Sequence, residues 1–264
     1  MSNYRLKIQY DGTRYRGWQR QKNSDNTIQG KIEQVLYRLL DTAVEIDGAG
    51  RTDAGVHAAC QIANFHLTEK QMENVKRKMS KDVNENPSAF SDWIFYKLNE
   101  YLPEDIRILK VEQAGERFHS RLSATGKVYE YHLLKKDCFD VFARKYSWQM
   151  EECLSLDAMK KTASCLLGRH DFKGFCSKSS KKKSTVRILT GIDIRETEND
   201  IYITYEGNGF LYNMVRIITG TLVEAGTGRR TPESVLEILE KGERSLAGET
   251  APAKGLKLLK VRYD

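Results

Sequence analysis

Apolar and polar positions alternate at the start of the chain. Leu6, Ile8 and Tyr10 fall between Arg5, Lys7 and Gln9, the period of a half-buried strand. After the break at Asp11-Gly12-Thr13 the period changes. Ile28, Ile32, Val35, Leu36 and Leu39 recur at helical spacing, and Asn26 or Thr27 stands where an N-cap belongs. A second strand is expected around residues 44–46, then a Gly-rich turn, then a strand over 61–65. Residues 68–80 read as a charged helix. Residues 81–92 are polar, contain Pro87 and show no hydrophobic period, so they read as a surface insertion. Residues 98–106 end a helix and turn at Pro103, and 108–112 form a strand.

The second half repeats this grammar. Residues 128–134 make a strong strand with Tyr129 and Tyr131 on one face, a pairing that by itself is more often core than catalytic. Leu156, Met159, Ala163, Leu166 and Leu167 define a helix with Ser155 as cap and Gly168 as stop. Ile188, Ile192 and Ile194, then Ile201, Ile203 and Tyr205, form a hairpin closed by Glu198-Asn199-Asp200. A helix over 210–225 follows, with Arg216 beside its apolar stripe. Thr231-Pro232 opens a last helix, Gly242 ends it, and 256–263 is a final strand. No repeat of fixed period is present. The shared order of elements predicts an α+β chain of two half-domains, 1–112 and 113–264, whose strands can join in one mixed sheet.

Composition narrows the partners. The 264 residues carry a net charge of +7, with a pI near 9.0, which favours polyanions without proving a nucleic acid. Five scattered cysteines (Cys60, Cys138, Cys153, Cys165 and Cys176) with no C-x-x-C pair exclude neither fold nor function, but they make a disulfide scaffold or zinc site an unexpected one. The amino terminus, M-S-N-Y-R-L-K-I-Q-Y, has no apolar core of a secretory signal, and no run reaches the roughly 20 apolar residues of a membrane span. A soluble, cytoplasmic protein is expected.

The candidate chemistry lies in G-A-G-R-T-D-A-G-V-H-A at 48–58. Three glycines and three alanines bracket Arg51, Thr52 and Asp53. Such small residues suit a tight turn that presents a carboxylate; a lone T-D-A-G would read as an ordinary turn in which the aspartate bonds its own backbone. One carboxylate is too few for a calcium loop. Tyr15, Arg16, Trp18, Gln19 and Arg20 crowd one loop, a mixture that suits RNA if the rings stack on bases, and plain core filling if they do not. Lys181, Lys182 and Lys183 end a basic run, S-K-S-S-K-K-K, that can attract phosphates or simply be solvated.

G-R-T-D-A-G-V-H-A resembles the signature of the tRNA pseudouridine synthase A family. Y-D-G-T-R-Y-R-G-W-Q-R-Q, T-I-Q-G-K-I-E, K-V-Y-E-Y, G-F-L-Y-N-M-V-R and A-P-A-K-G-L resemble the same family, in the same order along the chain. The resemblance implies the pseudouridine synthase fold: two similar α/β half-domains sharing a central mixed, mainly antiparallel sheet, with a basic active-site cleft. It implies isomerisation of uridine at positions 38, 39 and 40 of the tRNA anticodon stem-loop by a homodimer. It makes Asp53 the catalytic residue and Tyr129 the active-site tyrosine, and it pairs Arg216 with Asp53. Insertion 81–92 departs most from the family pattern and leaves room for a paralogue with a shifted site preference.

Uridine becomes pseudouridine when the C1′–N1 bond breaks, the base turns and C1′ joins C5. No electron donor, group donor or metal is required, and no cofactor is expected. Asp53 can attack C1′ or the uracil ring, or help remove a sugar proton. The uridine must leave its stack at a cost of a few kcal/mol. Arg51 is assigned to that step, filling the vacated space or holding the phosphate. Tyr129 stacks on the base or moves a proton, and Arg216 favours the ionised form of Asp53. Weak RNA contacts fall to Arg16, Arg20 and the three lysines. Two rival classes rank below this one. A non-catalytic RNA-binding module would carry RNP-type aromatic motifs, and a metal-dependent nuclease would need more ligands than Asp53 and His57.

Overall fold

A computed structural model describes residues 1–79, 87–177 and 184–263, and the chain divides into two compact units, Met1–Thr125 with Leu258–Asp264, and Gly126–Lys257. The boundary expected after Glu112 lies inside a strand of the first unit.

In the first unit β1 (Ser2–Tyr10) buries Tyr4, Leu6, Ile8 and Tyr10 and turns Lys7 and Gln9 outward, as the alternation requires. Helix α1 (Ile28–Leu40) starts at Thr27, whose hydroxyl accepts the Gly30 N–H at 3.1 Å. Its stripe is Ile28, Ile32, Val35, Leu36 and Leu40; Leu40, four residues after Leu36, takes the buried place that the pattern assigns to Leu39. β2 (Asp47–Gly48) is short and pairs with β3 (His57–Leu67). The strand expected at 44–46 is absent for a clear reason. Glu33 accepts the Ile46 N–H at 3.1 Å and Gln29 donates to the Ile46 carbonyl at 3.2 Å, so side chains of α1 occupy the groups a strand would use.

Helix α2 (Glu69–Lys78) opens with a capping box between Thr68 and Gln71. Helix α3 (Pro87–Tyr101) corrects the insertion: its first turns occupy 87–92. Phe90, Ile94 and Leu98 sit at i, i+4 spacing and are all buried, and Pro87 stands at the first position, where its missing N–H costs nothing. Residues 81–86 lie outside the described residues. β4 (Ile106–Ala114) and β3 flank β1, both antiparallel to it.

The second unit carries an antiparallel set built from β5 (Gly126–Leu134), β7 (Gly168–Asp171), β8 (Val186–Glu196) and β9 (Asp200–Gly207), in the order β5-β9-β8-β7. β6 (Trp148–Gln149) joins β5 in parallel, which makes the sheet mixed. Helix α4 (Leu156–Ser164) is capped by Ser155 as expected, but Gly168, at φ +96°, opens β7 instead of stopping the helix. Helix α5 (Met214–Gly226) starts four residues later than the periodicity indicates, because Leu211 and Tyr212 belong to the turn before it and Asn213, at φ +60°, forms its N-cap. α4 meets α5 where a Cβ on Gly226 would lie 2.9 Å from the Met159 side chain. Helix α6 (Ser234–Lys241) ends on left-handed Gly242. β10 (Leu256–Arg262) begins in this unit, and its residues from Leu258 belong to the first. The architecture is α+β, a mixed sheet with helices. Among the described residues no helix is long and apolar enough to cross a membrane.

Candidate active site

Asp53 is half-buried on the loop between β2 and β3. That loop is held from both sides. Ala49 N–H bonds the Ile62 carbonyl at 2.7 Å and Gln61 Nε2 donates to the Gly50 carbonyl at 2.9 Å, which ties the start of the loop to β3. From the other side the 11–27 loop closes on it. Trp18 N–H donates to the Thr52 carbonyl at 3.0 Å, and Gly55 N–H to the Tyr15 carbonyl at 3.3 Å. The Thr52 hydroxyl is buried against the Tyr10 hydroxyl at 2.7 Å.

Two glycines make this approach feasible. A Cβ on Gly12 would sit 2.0 Å from the Val56 carbonyl oxygen. Gly17, at φ +95°, would place a Cβ 2.7 Å from the Thr52 carbonyl oxygen and 3.2 Å from the Asp53 carbonyl carbon. The backbone under the carboxylate is thus positioned by packing that only glycine allows.

Arg51 is exposed, and its Nε donates to Gln19 Oε1 at 3.0 Å. Gln19 Nε2 donates in turn to Gln29 Oε1 at 2.7 Å, and Gln29 Nε2 to Glu33 Oε1 at 2.8 Å. Gln29 and Glu33 are 2% and 6% exposed, so a buried polar pair on α1 anchors the arginine beside Asp53. Arg20 closes the network with an ion pair to Glu33 at 3.0 Å, while Arg16 is exposed. Tyr15 and Trp18 are 5% and 1% exposed, which makes them core filling, not stacking platforms. The Tyr15 hydroxyl bonds Asp105 at 2.5 Å, and burial pushes its phenol far above the ordinary tyrosine range.

In the second unit Tyr129 is buried on β5 and meets Phe210 edge-on, with ring centroids 5.2 Å apart. Tyr131 is fully buried core, and its hydroxyl donates to the Pro252 carbonyl at 2.7 Å. Arg216, on the first turn of α5, is half-buried. Its Nε donates to the Ala251 carbonyl at 2.7 Å and its Nη1 to Asn213 Oδ1 at 3.0 Å. Asn213 Nδ2 also reaches Ser177 Oγ at 3.0 Å. The A-P-A segment and the left-handed cap of α5 therefore aim this arginine. Lys181, Lys182 and Lys183 lie outside the described residues. Among the described residues no three His, Cys, Asp or Glu side chains come together as a metal-holding group.

Sequence reasoning missed Gln19, Gln29, Glu33, Asn213 and Ala251 as supports. The signal for one pair was present: Gln29 and Glu33 stand four apart beside the apolar stripe of α1 and can share an environment. Asn213 is of a type that tolerates the left-handed region, but its neighbours in sequence do not single it out.

The tRNA pseudouridine synthase family model matches residues 7–122 and 162–264. The chain is 46% identical to the tRNA pseudouridine synthase A of Bacillus sp. (strain KSM-64) and 42% identical to the tRNA pseudouridine synthase A 2 of Bacillus cereus (strain ZK / E33L), each over 100% of both chains. Against the tRNA pseudouridine synthase A 2 of Clostridium tetani the figure is 40%, over 99% of both. The Gly-buttressed aspartate thus stands in a chain that belongs to the tRNA pseudouridine synthase family.

Proposed function

We propose that this chain isomerises uridine to pseudouridine in the anticodon stem-loop of tRNA, at positions 38, 39 and 40, with Asp53 as the catalytic nucleophile. The observation that carries the reading is the Asp53 loop itself: its backbone is clamped through Thr52 and Gly55, in a chain of this family. Asp53 attacks C1′ or the uracil ring as the C1′–N1 bond breaks. The base turns, C1′ joins C5, the C5 proton leaves and N1 gains one, so no redox partner enters. Arg51 acts as the uridine leaves its stack, Tyr129 lines the place the base enters, and Arg216 favours the charged form of Asp53. Arg16, Arg20 and the lysines at 181–183 contribute attraction to phosphates. The enzyme works as a homodimer in the cytoplasm.

A second reading is a paralogue with a shifted set of uridines. It is supported by relatives whose names carry the suffix 2. Mapping pseudouridine in tRNA incubated with the pure protein separates the two by position. Asp53→Asn should abolish product while tRNA binding stays within about twofold. Substantial turnover by that variant would falsify the assignment of Asp53.

A further inference from the structure

We propose that Arg187, at the start of β8, binds a backbone phosphate of the tRNA substrate. The inference rests on the tRNA reading above and adds a contact in the second unit. Arg187 is half-buried, and its Nη1 donates to the Val186 carbonyl at 2.6 Å and to the Ser184 carbonyl at 3.0 Å. Those two bonds fix the plane of the guanidinium and leave the edge formed by Nε and Nη2. Among the described residues that edge donates no hydrogen bond and no carboxylate lies within ion-pair distance; the titratable group beside the guanidinium is the Cys176 thiol. Burial lowers the affinity of this guanidinium for its proton, yet an arginine stays charged.

A half-buried cation is ordinarily paired with a carboxylate. This one is held by neutral carbonyls, which orient its charge without cancelling it. The Nε–Nη2 edge is the fork that receives two oxygens of a phosphate side by side.

Its position fits the substrate. A Cβ on Gly209 would lie 3.7 Å from Arg187 Nε, so the guanidinium runs along the opening residue of G-F-L-Y-N-M-V-R. The next residue, Phe210, packs on Tyr129, and Asn213 and Arg216 follow in the same segment. In sequence Arg187 also stands four residues after Lys183, the last of the basic run. A polyanionic strand that reaches Tyr129 passes within reach of this fork.

The test is tRNA binding by wild type, Arg187→Gln and Arg187→Lys across a salt series, with product formation by wild type on the same tRNA. Arg187→Gln should flatten the plot of log K against log salt by about 0.7–0.9, the value for one lost phosphate contact. Arg187→Lys should keep the slope, because the charge stays, and bind roughly tenfold more weakly, because the fork is gone. A folded Gln variant with the wild-type slope overturns the proposal. If the Gln variant does not fold, the Lys variant decides: wild-type affinity there overturns it. Wild type that makes product while both variants bind normally refutes Arg187 alone, whereas wild type that neither binds nor modifies tRNA refutes the functional reading as well.

Discussion

Gln29 is the side chain whose loss should travel furthest. It is 2% exposed and makes four bonds. Its Oε1 accepts from Gln19 Nε2 at 2.7 Å and from the Arg20 N–H at 3.0 Å, and its Nε2 donates to Glu33 at 2.8 Å and to the Ile46 carbonyl at 3.2 Å. Gln29→Leu keeps the bulk and deletes all four. The Gln19 amide and the Arg20 N–H can turn to water, so they count for little. The Ile46 carbonyl cannot, at about 1–3 kcal/mol, and Glu33 loses a charge-assisted bond worth about 1.5–3 kcal/mol. The added apolar burial returns about 1–2 kcal/mol. A net loss of about 0.5–5 kcal/mol lowers the melting temperature by a few degrees to roughly 15–20 °C for a chain of this size.

Activity should fall separately from stability, because Gln19 no longer holds Arg51. One hydrogen bond of about 0.5–1.5 kcal/mol is roughly two- to tenfold in single-turnover rate at saturating tRNA. Gln29→Glu supplies the control. Its new carboxyl would face two acceptors, Glu33 Oε1 and the Ile46 carbonyl, and like charge with burial raises its folded pKa above the unfolded value of about 4.3. At low pH the protonated carboxyl has one donor for two acceptors, so a loss of about 1–3 kcal/mol remains, and the ionisation penalty adds to it as pH rises from about 4.3 through the folded value. That variant should melt moderately below wild type at pH 4 and far below it at pH 8, whereas Gln29→Leu should lose a similar amount at both. If Gln29→Leu melts within a degree of wild type and turns over normally, the relay to Arg51 is wrong.

Gly17→Ala should destabilise by at least about 1–2 kcal/mol from φ alone and lower turnover further by displacing the Asp53 loop, measured by thermal melts and single-turnover rates; wild-type behaviour in both would exclude the buttress. Asn213→Gly keeps the left-handed backbone and removes the bonds to Arg216 and Ser177, so it should fold normally and react roughly two- to tenfold more slowly; a wild-type rate would show that Arg216 needs no such support. Neutralising Lys181, Lys182 and Lys183 together should flatten the salt dependence of tRNA binding by about 0.7–0.9 per lost contact without changing the rate at saturation. Arg51→Ala should instead lower the rate at saturation, and filter binding beside single-turnover kinetics would reverse this division if it is mistaken.

What the chain states by itself is what depends on neighbours in sequence. The alternation of β1, the Thr27 cap and stripe of α1, the β8–β9 hairpin and the Gly242 stop are local, and the signature around Asp53 stands in one unbroken run. The misreadings have a common cause in groups that come from elsewhere. Residues 44–46 have the composition of a strand, but Gln29 and Glu33 take their backbone partners. Residues 87–92 look polar until Phe90 is counted with Ile94 and Leu98. The aromatic residues at 15 and 18 suit RNA by type, and burial against the unit's own core decides otherwise. Tertiary structure alone decided how the candidate residues are held: Gly17 against Thr52, Gln19 on Arg51, Ala251 on Arg216. A residue's type shows what bonds it can make, but only the folded chain brings the partner to it, and these partners stand 32 to 35 residues away.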